Sequence, residues 1–244
     1  MWTYPRVLAH RGAGKLAPEN TMAAMRCALS HGFRAVEFDV MALKTGELVL
    51  MHDAELGRTI AGKGMVIDFS ATELAQMDAG CWLAPEFAHE PVPGFAEVAQ
   101  FCIAHAIWMN VEIKPAPGME QETGRLVGAA CAQLPIGQVL LSSFSLIALA
   151  AAQAVAPDVP RALLVERVPP DWLAQLHKLH ARALHVSAAS LNAETAALVT
   201  HAGFGLFCYT VNDPAEAKRL LDMGVDAFCT DRLDLIGPDF CDTQ

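Results

Sequence analysis

The chain lacks the features that would mark several common classes. It has no run of Lys or Arg, and its formal net charge is −10. A nucleic-acid surface needs clustered cations to meet phosphates, so that role is disfavoured. One small anionic substrate remains compatible, because a few local cations can hold it. Seven cysteines are scattered at 27, 81, 102, 131, 208, 229 and 241, and none forms Cys-x-x-Cys. An odd, dispersed set argues against a disulfide framework or a zinc site and for reduced, mostly buried thiols. The N-terminus, MWTYPRVLAHRG, has no apolar run of the kind that marks a secretory signal. The longest apolar stretch, Ser145 to Ala156, is too short to span a bilayer. The sequence therefore predicts a soluble, cytoplasmic protein without membrane insertion. No Gly-x-Gly-x-x-Gly follows any predicted strand, no segment is of low complexity, and no short-period repeat is visible.

What is present is an α/β rhythm. With 244 residues, 53% of them hydrophobic, the chain can bury one sizeable core. Apolar strands are predicted at Arg6–Ala9, Ala35–Val40, Trp108–Lys114, Val139–Ser142, Ala162–Val165, Ala183–Val186, Leu206–Val211 and Ala227–Cys229. Helical spacing and caps fill the intervals. Asn20 or Thr21 caps the first helix, Asn192 a later one, and Asp213 with Pro214 opens the last before Gly224. Eight strands alternating with helices predict a single (β/α)8 TIM barrel over residues 1–244. A doubly wound open sheet is the alternative, weakened by the missing glycine fingerprint. One segment leaves the rhythm. Gly46 turns the chain into an added hairpin strand, Leu48–Met51, which delivers His52. An insertion follows over about residues 53–93, with a short helix whose Ser70 and Glu73 form a capping box and which Gly80 closes. Trp82, Leu83 and Phe87 are expected to form its small core, packed over one mouth of the barrel.

The candidate chemistry lies mainly between His10 and Asp53. Glu37 and Asp39 are two apart on a strand and so share a face, while Val36, Phe38 and Val40 take the other. Two carboxylates on a buried strand repel unless a cation joins them. A structural salt bridge is the competing explanation. Glu112 repeats the pattern, sharing a face with Asn110 and Lys114. Three carboxylates at the C-terminal ends of strands, with no histidine among them, suit a hard divalent cation, Mg²⁺ or Ca²⁺, rather than zinc. His10 and His52 each stand where a strand meets a loop, beside this acidic cluster, as an acid/base pair would. His185 lies on a strand and is expected to be a packed core histidine. The charges of Glu37, Asp39, Glu112, Arg11, Lys114, a divalent metal and one phosphodiester sum to zero.

In order along the chain, HRG, PENT, EFDV, HD, VEIK, YTVN and GVDAFCTD stand at residues 10–12, 18–21, 37–40, 52–53, 111–114, 209–212 and 224–231. Together they resemble the glycerophosphodiester phosphodiesterase family over nearly the whole chain, inserted segment included. The resemblance implies a (β/α)8 barrel that hydrolyses glycerophosphodiesters to glycerol 3-phosphate and an alcohol with one divalent cation, Mg²⁺, Ca²⁺ or Mn²⁺. It implies His10 and His52 as acid and base in either order, and Glu37, Asp39 and Glu112 as metal ligands. Arg11 and Lys114 look like phosphate contacts, and Glu19, Asn20 and Tyr209 like neighbours of the substrate pocket. Two histidines, three carboxylates and two cations at one mouth suit attack by the glycerol 2-hydroxyl through a cyclic phosphate, with direct attack by water as the simpler alternative. Leu43 and Thr45 replace the Thr and Asp common in the family's turn, and Tyr209 stands where Trp is common, which bears on substrate preference. The implied partner is a small-molecule substrate; a homo-oligomer is compatible, but no interface is specified. Two rivals differ in kind: a phospholipase-type enzyme with an apolar lip, and a barrel that binds without catalysis.

Overall fold

A computed structural model describes residues 3–240. Eight parallel strands close into a barrel: β1 (Val7–Ala9), β2 (Ala35–Ala42), β4 (Trp108–Ile113), β5 (Val139–Ser143), β6 (Arg161–Val165), β7 (Ala183–Ser187), β8 (Gly205–Tyr209) and β9 (Ala227–Thr230). β1 pairs with both β2 and β9, which leaves no open edge between them. β3 (Leu48–Leu50) adds to β2 antiparallel as the outer arm of a hairpin. The helices α1 (Met22–Ser30), α3 (Phe95–Ala104), α4 (Glu120–Cys131), α5 (Leu146–Val155), α6 (Trp172–Lys178), α7 (Ala193–His201) and α8 (Pro214–Asp222) lie between the barrel strands, and α2 (Ala71–Leu74) belongs to the insertion. The open-sheet alternative is thereby excluded.

The strands form because both their faces are covered, which favours near-continuous apolar runs. All eight residues of β2 are buried. Val36, Phe38 and Val40, with Met109, Val111 and Ile113 of β4, pack outward against the helices. Ala35, Trp108, Leu140, Ala162, Ala183, Phe207 and Cys229 fill the barrel's interior. The alternation then forces Glu37, Asp39, Asn110 and Glu112 inward as well. The register sets Glu37 beside Asn110 and Asp39 beside Glu112. His185 is buried and stacks on Phe207 with ring centroids 4.4 Å apart, a packed core histidine as expected.

Most predicted elements end within about two residues of their observed limits. Of the two candidate caps for α1, Thr21 is the one used, accepting from Ala24 N, and Asn20 is left for another task. Two local expectations need correction. The Ser70–Glu73 capping box is present, but α2 ends at Leu74. Gly80 instead sits in a turn where Asp78 accepts from the backbone N–H groups of Gly80, Cys81 and His89. The insertion's core is aliphatic: Ile60, Val66, Ile67 and Leu74 pack with Met41, Leu43, Val49 and Met51 of the hairpin. Trp82 stays 39% exposed, and Phe87 packs against the main core. Of the cysteines, 102, 131, 208 and 229 are buried and 27 and 81 are not; all six are free, and Cys241 lies outside the described residues. No helix among the described residues is long and apolar enough to cross a membrane.

Candidate active site

The site is built at the C-terminal mouth of the barrel. Glu37 and Asp39 come from β2 and Glu112 from β4, adjacent strands in register. All three side chains are buried, and one oxygen of each lies within 4.8 Å of the others. Burial, and then Asp39's charge, push the Glu37 and Glu112 carboxyls upward from their ordinary range. Burial acts the same way on Asp39, but the charges of Lys114, Arg11 and His52 and the Asn20 hydrogen bond outweigh it and hold Asp39 low. Three buried carboxylates crowded together, two of them resisting ionisation, form an all-oxygen donor set short of positive charge. That fits a hard divalent cation.

Two cations already border the trio. Lys114 Nζ donates to Glu112 Oε1 at 2.7 Å and lies 3.4 Å from Asp39 Oδ1. Arg11 Nη1 donates to Glu19 Oε1 at 2.8 Å, while its Nε lies 3.5 Å from Asp39 Oδ2 and makes no hydrogen bond although buried. A buried guanidinium nitrogen with a free donor beside a carboxylate cluster is suited to receive an anionic oxygen.

The loop after β1 places His10 and Arg11. Arg11 adopts φ 49° and Asn20 φ 58°, in the left-handed region. This tight fold is held by Arg11 N donating to Glu37 Oε2 at 3.0 Å and Asn20 N to Arg11 O at 2.9 Å. Asn20 grips Asp39 from both sides, its Nδ2 donating to Oδ2 at 2.8 Å and its Oδ1 accepting from Asp39 N at 3.1 Å. Gly14 lets this loop touch the one after β9: a Cβ there would fall 2.1 Å from Asp231 Cα, and φ is 57°.

That contact sets His10. Its Nδ1 donates to Asp231 Oδ1 at 2.6 Å, leaving Nε2 facing Glu37 Oε2 at 3.8 Å. Asp231 is fixed in turn by Asn212, whose Nδ2 donates to Oδ2 at 2.9 Å and whose Oδ1 accepts from Asp231 N at 2.7 Å. Burial opposes protonation of His10, but the Asp231 hydrogen bond and the Glu37 and Asp231 charges outweigh it and raise its pKa. His52, delivered just beyond β3, donates from Nδ1 to Asp53 Oδ1 at 2.7 Å. Burial, with Arg11 and Lys114, lowers its pKa against the pull of Asp39 and Asp53. Each histidine is thus oriented by a carboxylate at Nδ1, the arrangement that fixes tautomer and ring for proton transfer at Nε2.

All the residues singled out in the sequence meet at or beside this mouth. Glu19 and Asn20 are engaged with Arg11 and Asp39. Tyr209 gives its hydroxyl to Val165 O at 2.9 Å, and its ring meets Phe144 edge-on at 5.8 Å. Phe144 in turn lies 5.6 Å from Lys114 Nζ. Sequence reasoning assigned no role to Asp231, Asn212, Asp53, Arg58 or Phe144. Asp53 carried a usable signal, since it directly follows His52 just beyond a strand end. A cavity of about 1050 Å³ opens at the opposite end of the barrel and has one acidic lining residue, Asp158, so it offers no comparable cluster.

Known proteins resemble this chain over most of its length. An Oleispira antarctica phosphodiesterase, solved in complex with the product sn-glycerol-3-phosphate, superposes with a TM-score of 0.89 at 34% identity, covering 93% of each chain. A glycerophosphodiester phosphodiesterase of Caldanaerobacter subterraneus is 33% identical over 230 residues, 92% of this chain and 93% of its own. One of Bacillus subtilis is 30% identical over 248 residues, 93% of this chain and 84% of its own. Residues 10–235 match the profile of a single family, and the chain belongs to it: the glycerophosphoryl diester phosphodiesterase family.

Proposed function

We propose that this enzyme, a hydrolase of glycerophosphodiesters, works with His10 and His52 as its acid/base pair around one divalent cation held by Glu37, Asp39 and Glu112. The observation that carries the reading is the convergence of three buried carboxylates within 4.8 Å, with His10 Nε2 3.8 Å from one of them. A divalent cation bound there supplies Lewis acidity and positive charge beside the phosphate. Mg²⁺, Ca²⁺ and Mn²⁺ all suit oxygen donors.

The chain's own residues do the rest. Arg11 and Lys114 hold the phosphate's anionic oxygens and stabilise the charge that grows on them. One histidine, neutral at Nε2, takes the proton of the attacking hydroxyl, and the other, protonated, gives its proton to the leaving alcohol. In our reading the attacking group is the glycerol 2-hydroxyl, which forms a cyclic phosphate. Water then opens the ring with the histidine roles reversed, releasing glycerol 3-phosphate and restoring both protonation states. Asp231 and Asp53 keep the two imidazoles aimed throughout. The six free thiols among the described residues fit a reducing compartment such as the cytoplasm.

The test is release of glycerol 3-phosphate from glycerophosphocholine by metal-stripped protein, with each cation added back. Release is expected only with metal. His10→Ala and His52→Ala should lower kcat by about 10² to 10⁴-fold. Arg11→Ala and Lys114→Ala should each cost on the order of 10²-fold. Wild-type turnover in either histidine variant would refute the assignment, and undiminished turnover of a substrate lacking the 2-hydroxyl would refute the cyclic route.

One observation favours a second reading, action on lipid-like diesters. Phe144, Leu146 and Ile147 follow β5 at the active mouth and are all exposed, Phe144 by 45%. Turnover of lysophosphatidylcholine that falls selectively in Phe144→Ser would support it. The binding-module alternative has no such observation, because the whole acid/base and carboxylate set is in place.

A further inference from the structure

Arg58 sits in the insertion, 45% exposed, yet it touches the supports of both His52 and Arg11. Its Nε donates to Asp53 Oδ2 at 2.5 Å. Its Nη1 and Nη2 donate to Glu19 Oε2 at 2.7 Å and Oε1 at 2.8 Å, a bidentate grip. The other oxygen of Asp53 accepts from His52, and Glu19 Oε1 also accepts from Arg11 Nη1. The result is one chain of contacts, His52–Asp53–Arg58–Glu19–Arg11, that starts at an acid/base group and ends at a phosphate contact.

Isolated surface ion pairs contribute little, and an exposed arginine invites that reading. Three facts oppose it here. The fork is filled on two carboxylates at once, a geometry only guanidinium offers. The side chains of Glu19 and Asp53 are only 11% and 28% exposed. The Arg58 backbone is itself held, since Gly57 N donates to Ile60 O at 2.9 Å and the neighbouring Thr59 and Ile60 are buried. His10 has no share in this chain, because Asp231 is fixed by Asn212.

We propose that Arg58 is a positioning residue that sets His52 and Arg11 together, so that the insertion carries a working part of the active site. This rests on the roles given above to His52 and Arg11. Misplacing a catalytic group by about 1 Å can cost on the order of 10²-fold, so a lost brace has measurable consequences.

The test measures kcat and KM on glycerophosphocholine with saturating divalent cation. Arg58→Ala is expected to lower kcat about tenfold or more through His52 and, in part, Arg11 and to raise KM several-fold through Arg11. Asp53→Asn should reproduce the His52 part of the kcat effect with KM unchanged, and Glu19→Gln the KM effect together with the Arg11 part of the kcat effect. On either variant Arg58→Ala should add less than its full effect, and on the two combined it should add nothing, because contacts in one chain do not add. On Asp231→Asn its effect should multiply in full. Arg58→Lys keeps the charge but cannot fill both carboxylates, so it should restore at most one parameter, and it decides the matter on the same criteria if Arg58→Ala does not fold. The His52 imidazole resonances should move in Arg58→Ala while those of His10 stay. Kinetics of Arg58→Ala within twofold of wild type, full multiplication on Asp53→Asn and Glu19→Gln, or restoration of both parameters by Lys would overturn the proposal. Wild-type turnover in His52→Ala and Arg11→Ala would instead overturn the site reading, and this inference with it.

Discussion

Asp231 does for His10 what Asp53 does for His52: it accepts the Nδ1 proton and fixes the ring. Asp231→Asn keeps the shape but removes the charge and offers an amide donor to Nδ1. A fall in kcat of about 10² to 10⁴-fold is expected, with KM changed far less, measured on glycerophosphocholine. Equal effects on both constants would mean that Asp231 serves binding and not proton transfer. A second residue-scale prediction concerns His185, whose burial lowers its pKa from 6.5 to about 3. Between those values the unfolded chain binds the extra proton. Stability should therefore rise with pH through that window, be fully present above about pH 6.5, and be lost as the pH falls toward 3, by up to about 1.4 kcal/mol per unit. Urea titrations of His185→Leu beside the wild type should show the wild type losing ground to the variant on acidification. A constant gap from pH 7 to 4 would refute it. Single residues were legible where chemistry left a local mark, as in the Glu37–Asp39 spacing. Asp231 left little, since its partner stands at the other end of the chain and only barrel closure joins them.

At the scale of elements, the site depends on how two loops meet. The loop after β1 carries His10 and Arg11; the loop after β9 carries Asp231. They touch at Gly14, where an added Cβ would meet Asp231 backbone at 2.1 Å and where φ is 57°. Gly14→Ala should destabilise the protein by about 1–3 kcal/mol and, by parting His10 from Asp231, lower kcat at least about tenfold. Thermal melting and kinetics on one preparation check both, and a variant with wild-type values for each would show that the loops can part without cost. The elements themselves were legible because their signals are local: apolar runs of strand length, Asn192 and Asp213 as caps, and glycine at turns. The error in the insertion is of another kind. Trp82, Leu83 and Phe87 looked like a core because they are adjacent in sequence. The real core draws Ile60, Val66, Ile67 and Leu74 onto Met41, Leu43 and Val49 of the hairpin, a choice set by tertiary packing. The end of α2 was misplaced for the same reason, since the Asp78 turn claimed Gly80.

For the whole molecule, closing the barrel has a cost at its centre. Parallel pairing of β2 with β4 places Asp39 directly beside Glu112, and the alternation of side chains sends Glu37 into the same interior. Burial and mutual repulsion raise the Glu37 and Glu112 carboxyls, so without metal the fold holds these groups against their preference. A ligand that binds only the folded state returns stability by mass action, about 2.7 kcal/mol at a hundred times its Kd. In a domain of this size that corresponds to a rise in Tm of roughly 5 to 10 °C. Divalent cation should therefore raise the Tm of the wild type by about that amount, and a chelator should reverse it. Glu37→Gln removes one of the three charges while its amide oxygen can still accept from Arg11 N, as Glu37 Oε2 does at 3.0 Å. The metal-free variant should melt at or above the metal-free wild type, gain little from added cation, and be inactive. This separates the two roles of the trio, because a purely structural salt-bridge cluster with Arg11 and Lys114 would be weakened by the same change. A lower Tm in metal-free Glu37→Gln, together with a wild type indifferent to cation and chelator, would mean that the carboxylates are held by Arg11 and Lys114 alone.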